Sequence, residues 1–504
     1  MKKVILGQPV NLEEFISVAV FHSEVEFSEE YKDRVEKSRK ILEACVRREE
    51  PVYGTTTGFG ALVTEFTQKE QAELLQKNII LTHAVSVGEP MEEEEVRAVI
   101  LMVLQSLGRG VSGVRLELLE RYRQFLNKNL IPYVPKEGSV GYLCAEAHIA
   151  GVLIGEGKAW YQGELLPAAE ALEKAGIQPI TLSYKEGLAL INGTTSPTAL
   201  SALAVYRMEQ AVKAADIAAS MSLEGLGGLL RAYDSHVTGC RPQKELCQTA
   251  QFLCDLLEGS QIIEKAKDSH LQDALSLRCV PQLHGAAKRV IADAREVVEC
   301  EINSCGDNPV IFGTEEEPDV YSNGNPDASY VGMQMDALCV AAANLGKMSE
   351  RRNARFLDKN LSGLPWFLAK DSGLNSGLMI PQYAQAGILN RIRMLAVPAT
   401  ADSVSTSAGQ EDYVSMGYNA AVKANEAVRC LEYILAVEVF SAYQAQQFFD
   451  SSLKRGKGTG AVYAAMNKEV PVMEKDMYLY PWLEWTRNWI REGKLQDTAE
   501  QGLL

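Results

Sequence analysis

The chain has 504 residues, of which 46% are hydrophobic and 23% charged, and carries a formal net charge of −16. That length allows a large core or two to three subdomains, and the composition is ordinary for a globular protein. The acidic balance argues against nucleic acid, whose phosphates need a basic surface, and mildly favours cationic ligands.

At the N-terminus the apolar stretch of MKKVILGQPV breaks at Gly7 and Pro9, too soon for a secretory leader. Residues 28–49 and 68–80 interleave charges with apolar side chains at three-to-four spacing, which predicts helices. Three glycine-containing loops follow: YGTTTGFG at 53–60, GSVG at 138–141, and Ile191-Asn192-Gly193-Thr194. Residues 178–182 read as a short strand. Stretches 199–222, 333–356 and 418–449 are rich in alanine, leucine and methionine and nearly free of glycine, which predicts long bundle helices. Between them, 310–312 and 320–321 form a predicted hairpin across GTEEEPD. From Ser451 the tail turns basic and then aromatic (YLYPWLEWTRNW), and its tryptophans are expected to cap the bundle. The chain thus reads as mainly α in three regions: 1–200 with the glycine loops, 201–450 with the long helices, and 451–504 as a helical cap.

Ten cysteines occur without a CxxC pair, which fits reduced thiols in a cytoplasmic protein. Cys240, Cys247 and Cys254 would share one helix face, and are read as buried small apolar side chains. The six histidines show no HxxxH or HxH spacing, so no metal site is expected. No apolar run approaches the roughly 18–20 residues that span a bilayer, so no membrane partner is expected.

The stretch GSVG-YLCAEAHIAGVLIGEG (138–157) resembles histidine ammonia-lyases, members of the aromatic amino acid ammonia-lyase family. In that family GSVG is followed by Ala-Ser-Gly-Asp, and Ala-Ser-Gly cyclises to an electrophilic methylidene-imidazolone group. Matching His148 and residues 152–157 leaves that triplet absent and puts Tyr142 in place of the aspartate. LSGLP (361–365), GLNSG (373–377) and QEDYVSMG (410–417) extend the resemblance to about Phe449. It implies a mainly α fold with a histidase-like central helical bundle, and a homotetramer whose composite active sites draw loops from three subunits.

Carried over position by position, the resemblance makes Tyr53 the catalytic tyrosine and sets Asn192 beside the reacting amine. QDALSLR (272–278) matches the family's QDAYSLR, which gives Arg278 the substrate carboxylate and makes Gln272 a positioning group. Thr82-His83 and Glu411 match groups that histidases place around the imidazole ring, where a carboxylate can exchange a proton with a ring nitrogen. Other departures accompany the missing triplet. Leu275 replaces the tyrosine of QDAYSLR, Pro326 replaces a phenylalanine, and Gly409 replaces an asparagine.

A free amine needs the electrophile because it must be activated before it leaves. A trimethylammonium group has no lone pair to attack an electrophile and departs unaided as neutral trimethylamine. The departures are therefore coherent with a histidine betaine as small-molecule substrate and with no cofactor. This resembles the family's branch that lacks the group, the ergothionases, which convert ergothioneine to thiourocanate. Those enzymes carry a lysine near residues 382–385, where this chain has none and Ala384 is the vacant position; either this chain carries a substitution there and the substrate is ergothioneine, the first candidate, or the substrate has no sulfur, as in hercynine. Tyr142 is read either as an aromatic face for the cation or as filler of the vacated space. Two alternatives stand beside this reading. One is a histidine ammonia-lyase whose modified triplet is missing from the written sequence, and the other is an inactive betaine-binding relative.

Overall fold

The computed structural model describes residues 3–55, 57, 58, 60 and 71–504. The first turn of the helix expected over 68–80, and Thr56 and Phe59 of the YGTTTGFG loop, lie outside them. The described chain is mainly helical and forms two compact units, each discontinuous in sequence. One comprises Met1–Ala204, Ala294–Asp336 and Pro398–Val422; the other comprises Val205–Asp293, Ala337–Val397 and Lys423–Leu504. Their bounds do not coincide with the sequence-contiguous regions 1–200, 201–450 and 451–504.

In the first unit, helix Glu93–Leu107 is buried at every position from Glu95 to Leu107, so it acts as a core element rather than a surface helix. Arg97 is 1% exposed within it. Its guanidinium donates to the carbonyls of Val18 and Leu126 and to Asn129 Oδ1, at 2.8–3.1 Å. Those dipoles offset the cost of burying the charge. Strands Lys3–Leu6 and Glu24–Phe27 pair in parallel across helix Leu12–Ala19, which Asn11 and Glu14 start with a reciprocal capping box. Strand Pro135–Glu137 pairs antiparallel with Val87–Pro90 and delivers the chain to Gly138.

The second unit holds a charged core. Arg352 and Glu438 have fully buried side chains. Arg352 Nη2 donates to Glu438 Oε2 at 2.9 Å, and Ser222 adds a 2.6 Å bond to Oε1. A second buried group joins His284 Nδ1 to Asp216 Oδ1 at 2.7 Å and Lys288 Nζ to Asp216 Oδ2 at 2.5 Å. The tail adds helices Lys457–Glu469, Tyr480–Arg491 and Lys494–Gln501. There Trp489 is 8% exposed and lies 5.0 Å from Trp485, and Arg487 Nη2 reaches Glu432 Oε2 at 2.8 Å. The tail tryptophan Trp489 therefore packs into this unit.

The predicted long helices are found as Thr195–Gly225, Ser329–Leu357 and Gly417–Ala445, and the shorter ones as Glu29–Arg47 and Ala72–His83. The hairpin is Val310–Gly313 with Pro318–Tyr321. Three expectations need correction. Residues 178–182 form no strand, because only Ile180 and Leu182 bury there and no neighbour offers a ladder. Cys240 is exposed, because the chain turns between the short helix Ser235–Gly239 and helix Lys244–Leu257, so it shares no helix face with Cys247 and Cys254. Finally, one helical stretch, Glu186–Gly225, does contain an 18-residue window of mean hydropathy 1.2, long and apolar enough to cross a membrane. That window is 100% buried within the protein, as expected of a core helix whose alanines and serines pack on every side.

Candidate active site

A cavity of about 840 Å³ lies wholly within the first unit, where the three glycine loops of the sequence meet the 323–327 and 407–415 segments. Tyr53, His83, Tyr142, Asn192 and Glu411 all line it. These are five of the eight residues expected to serve the site. Each is placed by a distinct local device.

Tyr53 is half-buried, and its phenol oxygen accepts a 2.8 Å hydrogen bond from the Gly60 backbone N–H. Burial raises the phenol above its ordinary 10.0, the Gly60 N–H pulls it down, and the negative charge of Glu411 pushes it up again. The net effect is upward, opposite to the lowering that a resting phenolate requires. His83 ends helix Ala72–His83, its Nδ1 3.2 Å from Thr82 Oγ1. Burial lowers its pKa, against smaller opposing effects of the Ile79 carbonyl and Glu411, which favours neutral imidazole.

Tyr142 sits on the tight turn that follows GSVG. Leu143 has φ 82° and ψ −55°, and Cys144 N–H bonds back to the Tyr142 carbonyl at 3.2 Å. This is a γ-turn of the rare, strained hand. The loop is held from both sides. Ser139 Oγ donates to the Tyr142 carbonyl at 2.9 Å, Met416 N–H to the Val140 carbonyl at 3.0 Å, and Asn419 Nδ2 to the Ser139 carbonyl at 2.9 Å. Burial, then the Glu411 charge and a hydrogen bond to Glu411, hold the Tyr142 phenol well above the usual range. It therefore stays protonated and donates to that carboxylate. Thr406 Oγ1 donates to Glu411 Oε2 at 2.6 Å, and Thr406 N–H bonds the Glu411 carbonyl at 2.8 Å. The Glu411 carboxyl is thus flanked by two hydroxyls.

Asn192 caps helix Glu186–Ile191 and is 7% exposed. Gly193, at φ 110°, lets its loop press against Gly306: a Cβ on Gly193 would stand 3.2 Å from the Gly306 carbonyl carbon. That approach brings Asn192 Nδ2 to Asp307 Oδ1 at 3.2 Å and to the Asn308 carbonyl at 2.8 Å.

The carboxylates of Asp327, Glu411 and Asp412 line the cavity, and no lysine or arginine does so among its described lining residues. This wall therefore suits the cationic end of a ligand, and its described lining residues offer a carboxylate neutral donors but no lysine or arginine. Gln272, Arg278 and Ala384 belong to the second unit and do not line the cavity. Gln272 and Ala384 are exposed, and Arg278 is half-buried with its Nε unpartnered among the described residues. Sequence reasoning passed over Asp327, Asn308 and Asp412. Asn323-Gly324-Asn325-Pro326-Asp327 drew notice only for its proline, although a carboxylate in a glycine–asparagine turn is itself a signal.

A mainly helical scaffold that gathers a tyrosine, a histidine, an asparagine and a glutamate around one acidic cavity defines the kind of protein, and comparison with known proteins supplies its family. Residues 10–468 match the family model "Aromatic amino acid lyase". Histidine ammonia-lyase of Caldanaerobacter subterraneus subsp. tengcongensis is 41% identical over 509 residues, covering 100% of both chains. Among solved structures, histidine ammonia-lyase from Trypanosoma cruzi aligns with a TM-score of 0.91 at 33% identity, over 99% of this chain and 95% of that one. Ergothionase from Treponema denticola, solved with desmethyl-ergothioneine sulfonic acid, aligns with a TM-score of 0.90 at 27% identity, over 98% and 99%. The chain belongs to the aromatic amino acid lyase family.

The prosthetic group that the resemblance implies can be tested against the residues present. It requires Ala-Ser-Gly, a tripeptide that occurs nowhere in the 504 residues. After Gly141 the chain runs directly into Tyr142-Leu143-Cys144, already folded into the γ-turn. These residues do not fit the group.

Proposed function

We propose that the protein is a carbon–nitrogen lyase for a histidine-type amino acid, and that its substrate is the Nα-trimethylated betaine, hercynine or ergothioneine. What supports the reading is that the chain runs from Gly141 directly into Tyr142, which lines a cavity whose described lining residues include three carboxylates and no lysine or arginine. In the proposed 1,2-elimination Tyr53 takes the Cβ proton, the C–H electrons form the double bond, and the C–N pair leaves with trimethylamine. Glu411 orients or protonates the ring beside His83, and Asn192 lies by the cation. Gln272, Arg278 and Ala384 enter as groups from neighbouring copies in a homotetramer with composite sites, where Arg278 takes the substrate carboxylate. The cation itself helps Tyr53, because a positive charge in the cavity favours phenolate against the upward push of burial.

The family relatives favour a second reading, histidine ammonia-lyase: that name belongs to a 41% identical relative, whereas the ergothionase neighbour is 27% identical. Incubation with histidine, hercynine and ergothioneine, assaying ammonia, trimethylamine and urocanate-type absorbance, separates the two. Trimethylamine from a betaine supports the proposal. Ammonia from histidine, with an intact mass heavier than the written chain by three residues less two waters, supports the second reading. No trimethylamine from either betaine overturns the first.

A further inference from the structure

We infer that Asp307, with its charge balanced by Lys185, is a positioning residue that fixes the amide of Asn192 so that only its carbonyl oxygen faces the cavity. The inference rests on the reading of this cavity as the site of a histidine-type amino acid, and it assigns the polarity of one contact within it.

Lys185 and Asp307 are each 0% exposed and form a buried ion pair through Asp307 Oδ2. The other carboxylate oxygen, Oδ1, accepts from the Asn308 backbone N–H at 2.8 Å and from Asn192 Nδ2 at 3.2 Å. Asn192 Nδ2 has two hydrogens, and the second goes to the Asn308 carbonyl at 2.8 Å. Both donors are therefore spent on one side. A flipped amide would set its oxygen against a carboxylate and a carbonyl, losing two hydrogen bonds and gaining two repulsions. One orientation remains, and in it the side-chain oxygen of Asn192, a residue that lines the cavity, is left over for a ligand, without a partner among the described residues.

The chain makes this arrangement costly to lose. Lys185 adopts φ 65°, a left-handed conformation a side chain rarely takes, and Asn308 itself lines the cavity. An acceptor fixed in this way selects a cation or an N–H donor at the α-position. It repels an anion and is indifferent to a ligand that has no nitrogen there. The Lys185–Asp307 pair thus supplies orientation rather than charge, because its own charges cancel inside the protein.

The test compares two ligands by calorimetry: hercynine, and imidazolepropionate, which keeps the ring and carboxylate but lacks the α-nitrogen. Lys185→Met/Asp307→Leu removes the acceptor for Asn192 without leaving a buried charge. It should weaken hercynine about tenfold, because the trimethylammonium has no N–H to donate and meets the fixed carbonyl only as a charge beside a dipole, and leave imidazolepropionate within about twofold. Lys185→Met/Asp307→Asn keeps an oxygen at Oδ1 and should restore the wild-type ratio. If the leucine variant does not fold, Asn192→Leu should give the same selective loss. Equal weakening of both ligands, or no weakening of hercynine, overturns the inference while the site reading stands. Failure of the wild type to bind either ligand overturns both.

Discussion

The proton-abstracting role given to Tyr53 makes a quantitative claim about pH. The perturbation is pH itself, with Tyr53→Phe as the reference. A phenol at its ordinary 10.0 is ionised in about one molecule per thousand at pH 7, and here burial raises it further before any substrate enters. Only the ionised fraction can take a proton, so kcat/KM for trimethylamine release should rise about tenfold per pH unit from 7 towards 9. That profile reports the free enzyme. Once the cation is bound, the phenol is pulled down, so kcat should level off at lower pH than kcat/KM does. Tyr53→Phe should lower kcat by at least the 10²–10⁴-fold typical of a lost general base. The assay is trimethylamine release at saturating and limiting substrate across the pH range. A flat kcat/KM between pH 7 and 9, or a Tyr53→Phe enzyme within tenfold of wild type, would refute the role.

Other outcomes follow from the same geometry. Tyr142→Phe keeps the aromatic face but removes the donor to Glu411, and should lower kcat/KM for trimethylamine release about tenfold, the scale of one lost hydrogen bond to a charged group; an unchanged kcat/KM would show that the contact does not orient the carboxylate. Arg352→Met leaves Glu438 buried with Ser222 as its remaining side-chain donor among the described residues, and should cost about 3–5 kcal/mol by denaturant unfolding; a loss under 1 kcal/mol would show that the pair is solvated. Burial lowers the His284 pKa below the ordinary 6.5 despite Asp216. The unfolded chain then takes up that proton first, so the stabilisation is present above about pH 6.5 and is lost as the pH falls. His284→Asn should flatten that slope in thermal unfolding between pH 7 and 5. Gly193→Ala, at φ 110° and against the Gly306 backbone, should displace Asn192 and lower activity with little change in the fold's circular dichroism.

Much of the architecture was legible because it follows from local pattern. Alanine- and leucine-rich runs nearly free of glycine read as helices, and the acidic turn GTEEEPD between short apolar runs reads as the close of a hairpin. What local pattern does not carry was missed. The pairing of strand Lys3–Leu6 with Glu24–Phe27 is parallel and bridged by a helix, so no turn residue announces it. Residues 178–182 have strand composition but no partner. The cavity was legible through motifs for Tyr53, His83, Tyr142, Asn192 and Glu411, yet Asp307 and Lys185 were invisible: 122 positions apart, they acquire meaning only when buried against each other. The resemblance likewise named Gln272, Arg278 and Ala384 without revealing that the cavity's own unit lacks them.

The bonds from the 138–141 loop to Met416 and Asn419 have a further consequence. They tie the segment bearing Tyr142 to the segment bearing Glu411, so neither edge of the pocket can be rebuilt alone. Inserting three residues after Gly141 would have to undo the γ-turn at Leu143 and pull on the stretch of chain that carries the glutamate. Such an insertion is therefore not a single local edit but a paired one, in which both edges of the pocket are loosened together.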